Sequence, residues 1–229
     1  MSLEFIIFDL DNTLYTRGSG LMEEIGRRIQ VWLCRELHLT WEEAKILRRK
    51  YLREYGTTMG GLVAEHSIDV RHYLEFVHDI PVEDYLEPDP ALVEMLGEIP
   101  LRKVVYTNAT SAHGRRVLYA LGAYQQFEQI IGIEEVGLDN KVDPSAYESM
   151  LALLGAAGSE CVMVEDSPRN LLAAKAVGMT TILVRSEQEP EQGKRDARSV
   201  DFAVDSILDV EKVVDQLLAP AKGTSSELG

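Results

Sequence analysis

Short apolar runs alternate with amphipathic segments along most of the chain. The first run, Phe5–Phe8, is apolar at every position and ends at Asp9. A run of this kind is typical of a strand that is buried on both faces of a parallel sheet. Further strands are predicted at 103–106, 129–133, 161–164 and 181–184, with a last edge strand at 202–204, and helices are predicted at 112–121, 144–154, 168–177 and 207–218. Repeated strand–helix units predict an α/β fold with a doubly wound, parallel, Rossmann-like sheet.

A helical pattern occupies the stretch that follows the first strand. Apolar residues recur at helical spacing from 20 to 55 and predict two helices, and a third helix is predicted near 69–78. We therefore expect a core formed by residues 1–14 and 88–220, with a helical cap inserted at residues 15–87. Within the cap, residues 57–61 are interpreted as a glycine-ended loop, either a connector or a lid over the substrate. Residues 221–229 are expected to form a disordered tail.

Composition narrows the possible partners. The formal net charge is -15, from 38 acidic and 23 basic residues, which argues against binding a nucleic acid polymer or an anionic membrane surface. Two cysteines, Cys34 and Cys161, form no metal-binding spacing, and no signal peptide pattern is present at the N-terminus, so we expect a cytoplasmic protein. Four histidines without metal-binding spacing are interpreted as surface or packing residues: His66, His72, His78 and His113.

Polar residues gather just past the predicted strand ends. They are Asp9 and Asp11 after the first strand, Thr107 and Asn108 after the second, and Glu165 and Asp166 after the fourth, with Lys141 in a loop before a helix. The carboxyl ends of parallel strands share one edge of a sheet, where α/β proteins bind ligands. We therefore expect these side chains to converge on one site.

The residue types suit phosphoryl transfer. A carboxylate can attack phosphorus to form an aspartyl phosphate, and a second acid can protonate the leaving oxygen and later activate water. Two carboxylates about 4 Å apart repel by roughly 1 kcal/mol in water and about 4 kcal/mol at a protein-like dielectric, so a cation is implied, and oxygen ligands suit Mg²⁺. Thr107 and Asn108 can donate hydrogen bonds to phosphoryl oxygens, while Lys141 supplies positive charge.

The chain resembles the haloacid dehalogenase-like hydrolase superfamily. The four motifs of that superfamily appear in order as Asp9-Leu10-Asp11-Asn12-Thr13, Thr107-Asn108, Lys141 and Glu165-Asp166. The resemblance implies that Asp9 is the nucleophile and Asp11 the general acid and base. It also implies that Lys141 and Thr107 clamp the phosphate.

The same resemblance implies a magnesium site. The Asp9 carboxylate, the Asp11 backbone carbonyl and Asp166 would hold Mg²⁺, with Glu165 close by. Asn170 stands where many relatives carry another acid, so we expect metal ligation or orientation there to rest on Glu165 instead. An acid at position 11 disfavours dehalogenation, because a halide leaving group needs no proton, whereas a phosphate ester does.

The cap segment at 51–63 is similar to the cap segment of the pyrimidine 5'-nucleotidases within this superfamily. The segment from Asp9 to Tyr15 is similar to the same family. This similarity implies a small phosphorylated substrate, namely a pyrimidine nucleoside monophosphate such as UMP or CMP. Candidate substrate contacts in the cap are Tyr55, Thr58, Met59 and Gly60.

The sequence leaves three alternatives open. The first is a phosphosugar phosphatase or mutase with a similar cap, because the catalytic residues touch only the phosphoryl group. The second is a phosphoacceptor signalling module, in which clustered acids, a threonine and a lysine also lie on a parallel sheet. The third is a binding protein without catalytic activity.

Overall fold

The computed structural model describes residues 2–185 and 199–219, and the tail predicted at 221–229 lies outside the described residues. The strands are β1 (Phe5–Phe8), β2 (Arg102–Tyr106), β3 (Gln129–Ile131), β4 (Cys161–Glu165), β5 (Thr180–Val184) and β6 (Phe202–Val204). They form one sheet in the order β3-β2-β1-β4-β5-β6, and all paired strands are parallel. The predicted α/β, Rossmann-like fold is confirmed.

The described residues contain nine α-helices. They are α1 (Leu21–Glu36), α2 (Trp41–Tyr55), α3 (Thr58–Glu65), α4 (Val70–His78), α5 (Pro90–Glu98), α6 (Ser111–Ala120), α7 (Pro144–Leu154), α8 (Pro168–Ala176) and α9 (Val210–Leu218). The first five lie between β1 and β2. No helix among these described residues combines the length and the apolarity that a membrane crossing requires.

Strand β1 lies at the centre of the sheet and contributes side chains to two apolar cores. Ile6 and Phe8 pack in one cluster with residues of α5, α6 and α9. Phe5 and Ile7 point to the opposite face and pack with residues of α7 and α8. Because side chains alternate along a strand, a wholly apolar strand needs helices on both faces, and the doubly wound arrangement supplies them.

Helices α1–α4 share a third apolar cluster, which also includes Ile133 from the chain after β3. Trp32 of α1 and Tyr73 of α4 meet edge to face, with ring centroids 5.1 Å apart. Helix α2 begins with a capping box in which Thr40 and Glu43 satisfy each other's backbone N–H groups, as its sequence indicates. The division of the chain into a cap at 15–87 and a core stays a prediction.

The prediction of a loop at 57–61 is wrong, because α3 begins there. Thr57 caps this helix by accepting a hydrogen bond from the Gly60 N–H at 2.9 Å. Gly61 lies against the buried ring of Tyr51, so a tertiary contact outweighs the low helix propensity of glycine.

Helix α5 was also absent from the predicted elements. It follows Asp89, whose side chain accepts from the Leu92 N–H, and has Pro90 in its first turn. The strand predicted at 129–133 ends at Ile131, and the helix predicted at 207–218 starts with a 3-10 turn before Val210.

Two helical glycines give a matched test of how α3 packs. A methyl group on Gly61 would lie 2.1 Å from Cγ of Tyr51, whereas one on Gly97 of α5 meets nothing within 4 Å. Gly61→Ala should lower the free energy of unfolding by about 1–3 kcal/mol through overpacking. Gly97→Ala should raise it by about 0.4–1 kcal/mol through lost unfolded-state entropy. Urea denaturation measures both, and a Gly61→Ala protein as stable as wild type would contradict the packing described for α3.

Candidate active site

The loop after β1 turns sharply and presents two carboxylates. Asn12 adopts a left-handed φ of 63°, which asparagine tolerates better than most residues. A backbone hydrogen bond from the Leu14 N–H to the Leu10 carbonyl, 3.0 Å long, closes the turn. As a result Asp9 and Asp11 both line a cavity at the carboxyl edge of the sheet.

Lys141 is fully buried, and its ammonium group bridges two carboxylates. Nζ donates to Oδ1 of Asp9 at 2.5 Å and to Oε2 of Glu165 at 3.1 Å. Burial alone would lower the pKa of Lys141, but the two carboxylates outweigh it and raise the pKa above its ordinary value. Lys141 is therefore a permanent cation that joins the ends of β1 and β4.

One lysine does not neutralise this cluster. Burial raises the pKa of Asp9 to about 7, and the neighbouring charge of Glu165 adds to the rise. Burial likewise raises the pKa of Glu165 to about 7. Both carboxylates thus lack sufficient positive charge nearby, and a further cation would favour their ionised forms.

Asp11 has a different environment from Asp9. The Tyr15 hydroxyl donates to its Oδ1 at 2.6 Å, and Nε2 of His113 lies 3.7 Å from the same atom. Burial pushes the pKa of Asp11 upward, but the interaction with His113 and the hydrogen bond from Tyr15 outweigh it, so the pKa is lower than usual. The His78 ring lies against the His113 ring, with centroids 4.6 Å apart. The two acids of the loop are thus set to different pKa values, which is typical of acid and base pairs in active sites.

Three acids are placed to hold a metal ion. Oxygens of Asp9, Glu165 and Asp166 lie within 4.8 Å of one another. Such a set of hard oxygen donors fits Mg²⁺, and the unbalanced negative charge described above agrees with a cation there. Arg17 donates to Oδ2 of Asp166 at 3.0 Å. The Asp11 side chain does not belong to this cluster.

Thr107 and Asn108 follow β2 on the other side of β1. Oγ1 of Thr107 accepts from the Ala109 N–H at 3.0 Å, which fixes the turn after the strand. Oδ1 of Asn108 accepts from the Lys141 N–H at 3.0 Å. Asn108 therefore positions the loop that carries Lys141, and both residues line the cavity.

The cavity, of about 260 Å³, lies between the sheet edge and helices α1–α4. The sequence-predicted residues that line it are Asp9, Asp11, Thr107, Asn108, Glu165, Asp166, Thr58 and Met59. Lys141 is buried behind Asp9. Two predicted cap contacts, Tyr55 and Gly60, are not in the lining. Tyr55 instead donates from its hydroxyl to Glu65 at 3.0 Å, and Gly60 packs beside Asn140.

Four residues at the site were not predicted to act there. They are Tyr15, Arg17, Arg48 and His113. His113 is wholly buried and lies in the first turn of the helix after β2, a position that could have indicated its proximity to Asp11. Arg48 carries no local signal, because a helical arginine is usually solvated.

Comparison with known proteins agrees with this geometry. A model of the haloacid dehalogenase-like hydrolase family matches residues 3–178. Phosphate metabolism protein 8 of Saccharomyces cerevisiae is 29% identical over 192 residues, which cover 77% of this chain but 60% of that protein, less than two thirds of its length. A phosphoglycolate phosphatase of Rhodospirillum rubrum is 25% identical over 191 residues, 78% of each chain.

A solved structure has the same fold. The crystal structure of an HAD phosphatase from Thermococcus onnurineus superposes with a TM-score of 0.62 at 20% identity, and the match covers 93% of this chain and 98% of the other. With the family match spanning most of the sequence, the chain belongs to the haloacid dehalogenase-like hydrolases.

Proposed function

We propose that the protein is a magnesium-dependent phosphatase that acts through an aspartyl-phosphate intermediate on Asp9. The observation that carries this proposal is the arrangement around Asp9, which is bound by the buried Lys141 ammonium at 2.5 Å and shares its cavity with Asp11. A nucleophile, an acid and a fixed positive charge are the groups that phosphoryl transfer needs.

In the first step, a carboxylate oxygen of Asp9 attacks phosphorus and the bond from phosphorus to the leaving oxygen breaks. Asp11 gives its proton to that oxygen, so an alcohol leaves. The pKa of Asp11 is low in the ligand-free protein, but the negative phosphate beside it raises that pKa. We infer that the proton enters with the substrate.

In the second step, the Asp11 carboxylate takes a proton from water while the water oxygen attacks phosphorus. The bond between phosphorus and Asp9 breaks, which releases inorganic phosphate and restores the Asp9 carboxylate and the protonated Asp11. Lys141 stays charged throughout and offsets the negative charge on the phosphoryl oxygens. Thr107 and Asn108 would donate hydrogen bonds to the same oxygens.

Asp9, Glu165 and Asp166 would hold Mg²⁺, together with the Asp11 backbone carbonyl. When bound, the ion supplies positive charge that keeps the carboxylates ionised and shields the phosphoryl group. Arg17 holds one oxygen of Asp166 and so orients this ligand.

For the substrate we propose pyrimidine nucleoside 5'-monophosphates such as UMP and CMP. The similarity of residues 51–63 to the cap of pyrimidine 5'-nucleotidases supports this, as does the apolar side of the cavity, where Met22, Ile25, Leu52 and Met59 lie. A pyrimidine ring has apolar faces that suit such walls. The relative named phosphoglycolate phosphatase favours a second candidate, a small phosphorylated acid or sugar.

The cellular setting is also a proposal. A net charge of -15 supports a small metabolite as partner over a nucleic acid polymer. The free thiols of Cys34 and Cys161 support a reducing compartment such as the cytoplasm.

A substrate panel tests the proposed function. Phosphate release is measured with Mg²⁺ from UMP, CMP, dTMP, AMP, GMP and several sugar phosphates, and again with EDTA. We expect a preference for the pyrimidine nucleotides that is lost on chelation. Broad or sugar-phosphate activity would reject the nucleotide substrate and keep the phosphatase. A stable phosphoprotein that releases no phosphate would instead identify a phosphoacceptor module.

The nucleophile is tested by Asp9→Asn. This change removes the anionic oxygen that attacks phosphorus while adding no bulk, so phosphate release should fall to background and cooperative unfolding should persist by circular dichroism. Asp84→Asn, at an exposed position in the turn after α4, serves as the matched control with wild-type activity. Turnover by the purified Asp9→Asn protein would refute the aspartyl-phosphate mechanism.

The acid is tested by Tyr15→Phe, which removes the 2.6 Å hydrogen bond to Asp11. Because that bond orients the acid, kcat/KM for UMP should fall about tenfold, the effect of one hydrogen bond. The decrease for p-nitrophenyl phosphate should be smaller, since nitrophenolate leaves without a proton. Tyr119 is 58% exposed, so Tyr119→Phe is the control. Equal losses for both substrates would argue against a role for Tyr15 at Asp11.

A further inference from the structure

Helices α1–α4 contribute one charged side chain to the cavity among the residues that the structure describes. This residue is Arg48, on α2. Its neighbours on that side of the cavity are mostly apolar, and include Ile25, Leu52 and Leu74. This cation therefore lies among apolar side chains and belongs to none of the four motifs.

The Arg48 guanidinium has no partner of opposite charge in the described part of the chain. Within residues 2–185 and 199–219 no carboxylate lies within salt-bridge distance of it, and its buried Nε has no hydrogen-bond partner. Burial lowers the pKa of Arg48, and the nearby Tyr73 offsets this only in part. Leaving donors of a charged group without acceptors costs free energy, so this side chain is suited to an acceptor that arrives with a ligand.

The fold makes room for this side chain. A methyl group on Gly26 would lie 2.6 Å from Nη2 of Arg48 and 2.9 Å from its Cζ. Gly26 is buried in the interior of α1, where glycine costs about 1 kcal/mol relative to alanine. Helix α1 thus has a residue of low helix propensity at the point where the Arg48 guanidinium of α2 packs against it. Both helices therefore determine where Arg48 lies: α2 carries it, and α1 leaves space for it.

We propose that Arg48 is a specificity-determining residue that donates hydrogen bonds to an oxygen acceptor on the leaving group, namely a ring carbonyl of a pyrimidine base. This inference rests on the proposed function. The apolar walls of the cavity favour a flat ring over a short charged acid, because a two-carbon acid would leave those walls uncovered. The planar guanidinium can then satisfy its donors at the carbonyl. Uracil and cytosine both have a carbonyl at ring position 2, whereas adenine has none.

The experiment compares UMP with ribose 5-phosphate, which has the same leaving oxygen but no base. Arg48→Met keeps most of the side-chain length and removes the donors. It should lower kcat/KM for UMP by roughly 10- to 100-fold, mainly through KM, as for a lost hydrogen bond to a charged group. For ribose 5-phosphate the decrease should stay below about threefold. Arg48→Lys should recover part of the loss, and Arg49→Met, at an exposed neighbouring position, should behave as wild type.

Gly26→Ala tests the same inference with Arg48 unchanged. The added methyl group displaces only the flexible end of the arginine side chain, and alanine favours the helix, so we expect a folded protein. This variant should reproduce the selective loss toward UMP.

The outcomes separate the two proposals. A wild-type protein that prefers UMP to ribose 5-phosphate, with that preference lost in Arg48→Met and Gly26→Ala, is the expected result. A wild-type protein with no such preference overturns the nucleotide substrate itself. A preference that Arg48→Met retains overturns the role of Arg48 alone. Equal losses for both substrates would also overturn it, because Arg48 would then act on the shared phosphate.

Discussion

The buried ion pairs of Lys141 are the interaction on which the rest of the site depends. An ammonium group without solvent contact is tolerated only when acceptors surround it, and here Asp9 and Glu165 do so at 2.5 and 3.1 Å. The Tyr106 ring completes this environment, with its centroid 5.0 Å from Nζ. Removing either carboxylate partner would leave charge buried without full compensation. The three groups therefore fix one another, and contacts within the protein hold the Asp9 carboxylate in place.

The sheet order is what allows three distant segments to form this cluster. Strands β2, β1 and β4 are neighbours in the sheet, and adjacent strands lie about 4.8 Å apart. The residues that follow these strands are therefore within reach of one another, although Asp9 and Glu165 are far apart in sequence. The backbone N–H of Lys141 then donates to Oδ1 of Asn108, which connects the loop of Lys141 to the end of β2. Topology supplies the proximity, and short polar contacts supply the precision.

Sequence reasoning succeeded where a signal was local. The apolar run at 5–8 and the polar residues at strand ends predicted the sheet and the convergence of these polar groups. Both signals lie in consecutive residues, so no knowledge of distant contacts was needed. It failed where a distant contact decides the structure. Helix α3 forms around the packing of Gly61 on Tyr51, and a glycine-rich segment read alone indicates a loop. His113 and Arg17 reach Asp11 and Asp166 only after folding, so neither was predicted as part of the site.

The residues proposed to carry out the reaction lie at the sheet edge, whereas those proposed to select the substrate lie across the cavity. In the proposed reaction the acids, the lysine and the hydrogen-bond donors at the sheet edge contact a phosphoryl group. Every phosphate ester has that group, so these residues define a chemistry and select no leaving group. Selection has to come from the opposite side of the cavity, where apolar walls and Arg48 lie. The overall charge of -15 does not oppose an anionic substrate there, because local cations in a cleft outweigh distant, screened surface charge. The motifs at the sheet edge are those of the family, whereas in our proposal the place where α1 and α2 meet selects the substrate.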